Sequence, residues 1–127
     1  MPEKVRVEVD LGRYISVELS ADEAERLIMI VAKKVGYESQ DANEALRYIR
    51  NFDVFYEMAK KKFKDYLVPP KSLNDMIRGT VIVDRIKLVR DGGRRVVVTF
   101  DRRVPLDVIV ESLKELGYEA EVEKRAL

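Results

Sequence analysis

The sequence contains neither cysteine nor histidine. Without cysteine it can form no disulfide, no thiolate metal site and no cysteine nucleophile. Without histidine it lacks the usual general base at neutral pH and the commonest metal ligand. The carboxylates show no metal-ligand spacing, and we find no nucleophile–base arrangement. An enzyme is therefore the least favoured class of function, and we expect no cofactor, no metal and no catalytic residue.

Side-chain amides are also scarce, with one Gln and three Asn, whereas charged residues make up 37% of the chain. The average charged fraction is about 25%. Many Lys, Arg and Glu with few thermolabile residues is typical of thermophile proteins. We predict a thermophilic source, archaeal or viral; the alternative is a strongly solvated helical protein from a mesophile.

Long apolar runs are absent. The longest covers residues 27–32, far short of the roughly 18 residues that a membrane span needs. The first residues, MPEKVRVEV, lack the apolar block of a signal peptide. We expect a cytoplasmic protein with no membrane partner.

The patterns that are present predict a single α+β domain over residues 1–127. Residues 3–38 form a first ββα unit: two alternating strands joined at Gly12, then a helix that Ser20 caps and Gly36 ends. Residues 80–127 form a ββαβ unit, in which Gly117 ends the helix and a final strand follows. Residues 39–79 form a helical connector.

The two units align without a gap at an offset of 81 residues. Val7 then falls on Leu88, Val17 on Val98, and Gly36 on Gly117. There are nine identities over the 34 residues from Val5 to Glu38. Self-similarity of this kind indicates an internal repeat. The alternative is convergence of two similar ββα units.

The connector contains a helical pattern over residues 41–66 with an apolar seam. An unbroken helix of that length would span about 39 Å. It would overhang or run edge to edge across a domain whose radius of gyration is about 14 Å, and its seam would favour a partner. We then expect a homodimer through Ile49, Phe52, Tyr56 and Phe63. Asn51 is a weak point, and if the helix breaks there the same side chains become ordinary core.

Residues 80–90 and 95–100 predict the strands of the second hairpin, and alternation places four valines on the face away from the core. These are Val81, Val83, Val89 and Val97. A strand that is apolar on both sides is usually covered on both. We expect the long helix or a second subunit to provide the cover.

Three features of residues 80–124 resemble the back half of ferredoxin-like domains of the metal-chaperone kind. They are the strand VVVTFD, a helix from Pro105, and the sequence LKELGYEAEV. The resemblance covers about a third of the chain and implies a ferredoxin-like pattern in its C-terminal half. Such domains bind metal through a cysteine pair, so the metal site does not carry over.

Charge is unevenly distributed along the chain. Residues 1–57 sum to −4, residues 58–103 to +8 and residues 104–127 to −3. The basic middle segment predicts binding to the phosphates of DNA or RNA. The candidate residues are Lys60, Lys61, Lys62, Lys64, Arg94, Arg95, Arg102 and Arg103. The alternative is an ordinary solvated surface in a charge-rich protein, with Phe63 and Tyr66 in the core.

Overall fold

The computed structural model describes residues 2–125, which form an α+β fold with five strands in one mixed sheet and five helices. The strands are β1 (Glu3–Val9), β2 (Ile15–Ser20), β3 (Val83–Arg90), β4 (Arg94–Phe100) and β5 (Tyr118–Lys124). The helices are α1 (Ala21–Val35), α2 (Gln40–Arg50), α3 (Phe52–Lys61), α4 (Leu73–Arg78) and α5 (Leu106–Glu115). Within the described residues no helix is both long and apolar enough to cross a bilayer.

The strand order in the sheet is β3-β4-β2-β1-β5. β1 and β5 pair in parallel, and the other neighbouring strands are antiparallel. One row of side chains crosses four strands in register and is fully or almost fully buried: Val7, Val17, Val98 and Ile86. This row is the floor of the hydrophobic core, on which α1, α2 and α5 pack.

The two hairpins differ in the length of their turns. Five residues separate the paired Val9 and Ile15, whereas three separate the paired Arg90 and Arg94. Val17 therefore pairs with Val7, and Val98 pairs with Ile86. The first strands of the two hairpins are thus displaced by two residues from the ungapped sequence alignment, because the second turn is shorter.

The helical pattern over residues 41–66 is interrupted at Asn51. Its backbone (φ −115°, ψ 44°) leaves the helical region between α2 and α3, and its side-chain amide donates to the carbonyl oxygen of Arg47 at 2.9 Å. On either side of the break, Ile49 near the end of α2 and Phe52 at the start of α3 are only 5% and 4% exposed. The broken form of the helix is therefore the observed one, and these two seam residues lie in the core of the chain itself.

A buried carboxylate joins α2 to the start of β3. Asp41 is fully buried, and its Oδ2 accepts from the backbone N–H groups of Ile82 (2.9 Å) and Val83 (2.6 Å). Its Oδ1 has no hydrogen-bond partner in the described chain. Burial raises the pKa of Asp41 above its ordinary value, and the two backbone hydrogen bonds partly offset that rise.

A register shift at Asp84 corrects the predicted valine face. Val83 pairs with Phe100, and Arg85 pairs with Thr99, so Asp84 is an extra residue on β3. The extra residue turns Val83 to the core side, where it is fully buried, and Val81 is also buried. Of the four valines, Val89 and Val97 remain on the other face, where both are half-buried.

Candidate nucleic-acid interface

The end of α3 has an aromatic residue where helices usually carry glycine. The N–H of Lys64 donates to the carbonyl oxygen of Ala59 at 2.9 Å, and the N–H of Phe63 donates to that of Lys60 at 3.1 Å. These are the two hydrogen bonds of a Schellman motif, with Lys62 as the cap and Phe63 in the left-handed position. Phe63 has φ 54°, a conformation that costs a non-glycine residue about 1–2 kcal/mol.

The ring of Phe63 is 96% exposed, so neither core packing nor backbone preference explains a phenylalanine at this position. The sequence pattern placed it on the helical seam, but α3 ends before reaching it. A residue held in a strained conformation with its side chain in solvent points to a functional role for that side chain. An exposed ring on a fixed loop can stack on another planar group.

Four lysines precede or follow Phe63 directly in the sequence: Lys60, Lys61, Lys62 and Lys64. All four are exposed. Within residues 2–125 none of them is within ion-pair distance of a carboxylate. Their positive charge is therefore available to a ligand.

We call residues 60–64 the lysine loop. One tyrosine precedes this loop and one follows it, and cationic side chains lie over both rings. The Arg90 guanidinium lies 4.2 Å from the centre of the Tyr56 ring, and the Lys60 ammonium 5.4 Å from it. Tyr66 has the Arg85 guanidinium at 4.9 Å and the Lys87 ammonium at 5.8 Å from its centre. These distances fall within the range of cation–π attraction.

A backbone bridge brings Tyr66 to these strand residues. Leu67 pairs with Ile86 on the outer side of β3, with hydrogen bonds of 2.8 and 2.9 Å in the two directions. Tyr66 is therefore held beside Arg85 and Lys87. We call the whole surface the basic edge. Its members are Tyr56, Lys60, Lys61, Lys62, Phe63, Lys64, Tyr66, Arg85, Lys87 and Arg90.

Carboxylates neutralise only part of the basic edge. Arg90 lies 3.0 Å from Glu57 and 3.5 Å from Asp53, and Arg85 lies 2.8 Å from Asp84. Lys87, like the four loop lysines, has no carboxylate within ion-pair distance among residues 2–125. The surface therefore carries a net positive charge next to exposed and half-exposed aromatic rings.

The eight cations predicted from the sequence do not lie on one surface. The four lysines belong to the basic edge. Arg94 lies next to it, since Arg94 (2.5 Å) and Arg90 (3.5 Å) share the Asp53 carboxylate, whereas Arg95 binds Glu18 at 3.2 Å. Arg102 and Arg103 follow the opposite end of β4, which spans roughly 20 Å at about 3.3 Å per residue. Arg103 also donates to the carbonyl oxygen of Met76 at 3.3 Å.

The predicted oligomer seam is likewise divided. Ile49 and Phe52 are core residues, Tyr56 is half-buried, and Phe63 is exposed. Phe52 and Tyr56 stack on each other with ring centres 5.9 Å apart. Ile49 and Phe52 are therefore used within the core of the chain, whereas Phe63 stays at its surface.

Sequence reasoning did not include Arg85, Lys87 and Arg90 in the candidate site. Alternation along β3 was a usable signal for Arg85 and Lys87, because it places both on the face away from the core. The contact with Tyr66 had no sequence signal, since it depends on the single bridge between Leu67 and Ile86.

The described residues contain no group of three or more acidic side chains arranged to hold a metal ion. Comparisons of the chain with protein-family models, with curated proteins and with solved structures gave no match.

Proposed function

We propose that the protein binds single-stranded nucleic acid, DNA or RNA, through the basic edge. The observation that carries the proposal is Phe63, which is 96% exposed at a positive φ between Lys62 and Lys64. Proteins that bind single strands combine a cationic track for the phosphates with aromatic rings on which unpaired bases stack. The basic edge offers both, with Tyr56 and Arg90 on the helix side of β3 and with Tyr66, Arg85 and Lys87 on its opposite side.

Weak sequence preference is part of the proposal. Selective readout of bases depends largely on Asn, Gln or bidentate Arg groups at the base edges. The basic edge contains no Asn or Gln, and its arginines Arg85 and Arg90 are already paired with carboxylates. Stacking and phosphate contacts tolerate any base, so we expect similar affinities for strands of different sequence.

Fluorescence anisotropy with labelled oligo(dT) and oligo(rU), over a range of salt concentrations, tests the proposal. For single strands, the slope of log affinity against log salt is about −0.7 per phosphate neutralised. The variant Lys61→Gln/Lys62→Gln should therefore reduce the magnitude of that slope by about 1.4. Phe63→Ala should weaken binding roughly 5- to 150-fold, because one stacked base is worth about 1–3 kcal/mol.

A matched charge variant serves as the control. Lys4 lies opposite Glu119 at the other edge of the sheet, and Lys33 is exposed in the last turn of α1. Lys4→Gln/Lys33→Gln removes the same charge, and we expect a slope close to that of the wild type. No binding at low salt, or equal loss in both double variants, would contradict the proposal.

Self-association through α4 is a second candidate function. Asp75 on this short helix faces the body of the protein: its carboxylate accepts from the Gln40 N–H at 3.1 Å and from the Thr80 hydroxyl at 2.9 Å. Leu73 and Ile77 are 72% and 75% exposed, so the apolar side of α4 points to solvent. An exposed apolar patch typically marks a contact surface, and a symmetric homodimer is the commonest assembly.

Sedimentation over a range of protein concentrations tests this second candidate. Ile77→Glu should give a monomer, and Val54→Glu should not, because Val54 is similarly exposed (68%) but lies on α3. A wild-type protein that stays monomeric at high concentration would exclude self-association.

For the fold, we propose that the two ββα units arose by duplication of one unit, and that the C-terminal half follows a ferredoxin-like pattern. Support comes from the centre of the sheet. β2 and β4 pair with Val17 opposite Val98, Ile15 opposite Phe100 and Leu19 opposite Val96. An offset of 81 interchanges the last two pairs and exchanges the two valines of the first, as a two-fold axis that passes between Val17 and Val98 requires.

A further inference from the structure

A groove of about 480 Å³ lies at the end of the sheet beside the β1–β2 turn. This end is opposite the β3–β4 turn, because Ile15 at the start of β2 pairs with Phe100 at the end of β4. The end of β5 and the start of α5 also contribute to its walls. Its volume is within the range of small-molecule sites.

The floor of the groove is aliphatic. Ile15 and Val104 are almost fully buried, and Val9 and Leu106 are half-buried beside them. Leu11 also lines the groove and is 63% exposed. None of the residues that line the groove is aromatic. The groove therefore offers an aliphatic surface but no ring on which a base could stack.

The rim of the groove is cationic. It carries Arg13, Arg102, Lys124 and Arg125. Arg125 is paired with Glu8 at 3.2 Å, whereas the ion pairs within residues 2–125 leave Arg13 and Arg102 unmatched. The single acidic residue in the lining is Asp10, whose Oδ1 already accepts from the backbone N–H of Tyr14 at 3.0 Å.

Arg13 is held in a left-handed conformation, with φ 69°. Its N–H donates to the carbonyl oxygen of Asp10 at 3.0 Å, which fixes the turn. A glycine would adopt this conformation without steric cost, yet the position carries a guanidinium that lines the groove. Strained backbone positions cluster at functional sites, so the conformation of Arg13 points to a functional role for its guanidinium.

We propose that this groove binds a small molecule with a phosphate head group and an aliphatic body. Arginine pairs readily with phosphate oxygens through two parallel hydrogen bonds, and Arg13 and Arg102 offer two such groups on one rim. The aliphatic floor lies directly beside them and removes the body of the ligand from water. This site is at the other end of β4 from the β3–β4 turn, and it does not depend on nucleic-acid binding by the basic edge.

Isothermal titration calorimetry with octyl phosphate, inorganic phosphate and neutral octyl glucoside tests the proposal. We expect one octyl phosphate per chain, bound at least tenfold more tightly than either of the other two. Arg13→Gln/Arg102→Gln should weaken octyl phosphate binding at least tenfold. Leu11→Ser should weaken octyl phosphate binding and leave inorganic phosphate binding unchanged.

The basic-edge variant Lys61→Gln/Lys62→Gln is the matched control and should bind octyl phosphate as the wild type does. Thermal melts followed by circular dichroism check that each variant is folded; Arg13, Arg102 and Leu11 are all exposed, so their replacement should leave the fold intact. Absence of saturable binding, equal affinity in the Arg13/Arg102 variant, or equal loss in the basic-edge variant would overturn the proposal.

A phosphate head group on an aliphatic body occurs both in soluble phosphate esters and in membrane lipids. Co-sedimentation with vesicles of phosphatidylcholine containing phosphatidic acid separates the two sources. Octyl phosphate binding without vesicle binding identifies a soluble ligand. Vesicle binding that the Arg13→Gln/Arg102→Gln variant loses identifies a lipid head group. Amide shifts in NMR spectra, at residues 11–13 and 102–106, should locate either ligand in the groove.

Discussion

Val17 of β2 and Val98 of β4 are direct partners across the middle of the sheet, and they are 81 residues apart in the sequence. Their side chains are 1% and 0% exposed. Each therefore contacts the core from an equivalent place in its hairpin.

Truncation of either valine should have a similar cost. We expect Val17→Ala and Val98→Ala each to lower the free energy of unfolding by about 2–3 kcal/mol, from lost burial and an incompletely filled cavity. Because the two side chains are neighbours, the double variant should depart from additivity by at least about 0.5 kcal/mol. Urea unfolding measures all three values, with the exposed Val54→Ala as the control. Costs that differ severalfold would argue against equivalent environments.

Phe63→Gly should separate stability from binding. Glycine relieves the strain at φ 54° but raises the entropy of the unfolded chain, so we expect a net gain in stability of up to about 1 kcal/mol. The same change removes the stacking ring and should weaken binding to oligo(dT). Urea unfolding and anisotropy, made on the same preparation, give the two effects. A loss of stability would mean that the ring makes contacts that favour the native fold.

Replacement of Asp41 should alter how stability depends on pH. The pKa of Asp41 is raised above 3.8 in the folded protein, chiefly by burial. As the pH rises above about 4, the unfolded chain loses this proton before the folded chain does, so the free energy of unfolding falls until the folded carboxyl also ionises. Asp41→Asn removes this contribution, and the difference in stability, wild type minus variant, should decline with rising pH over that window.

Asp75→Asn is the matched control for Asp41, with the opposite sign. Hydrogen bonds from the Gln40 N–H, Ser72 and Thr80 lower the pKa of Asp75. Its contribution to stability is therefore present above the unfolded pKa and lost as the pH falls through the folded value. In urea unfolding from pH 2 to pH 8, the difference for Asp75→Asn, wild type minus variant, should rise with pH below about 4 and then stay level, whereas the difference for Asp41→Asn should decline above about 4. A difference for Asp41→Asn that rises with pH would contradict a raised pKa for Asp41.

If the source is thermophilic, the ion pairs on the open face of the sheet should matter most at high temperature. Arg6 lies 2.9 Å from Glu123 and 3.5 Å from Glu8, and Glu8 lies 3.2 Å from Arg125. The free-energy penalty for desolvating such ion pairs falls as the temperature rises, so their net contribution to stability increases. We expect a Tm above about 65 °C, measured by calorimetry, and a lower Tm in Arg6→Gln. A wild-type Tm between about 45 and 65 °C would contradict a thermophilic source.

The elements of this fold could be predicted from local patterns, and their arrangement could not. Alternation and capping residues located both hairpins and their helices, because those signals lie within a few residues of each other. The placement of β5 beside β1 depends on contacts between residues more than 100 positions apart, such as Val7 and Val122. The extra residue Asp84 has no sequence signature, yet it reverses the face on which Val83 lies.

The candidate site shows the same division. The lysine run is contiguous and was found directly from the sequence. The spacing of apolar residues continues past the end of α3, so the pattern predicts Phe63 on the helical seam. Because no glycine marks the end of this helix, the sequence does not show where α3 stops. Tyr66 reaches Arg85 and Lys87 through one backbone bridge, which no periodicity could reveal.

The two hydrogen bonds that close α3 also determine how a ligand would be received. Because Phe63 and Lys64 are tied to Lys60 and Ala59, the backbone of the lysine loop is ordered before any strand arrives. Binding then does not include the loss of loop entropy that a disordered basic segment undergoes when it folds on its target. Because of this preorganisation, Phe63 and the neighbouring lysines present their ring and their charges to each incoming strand in the same geometry.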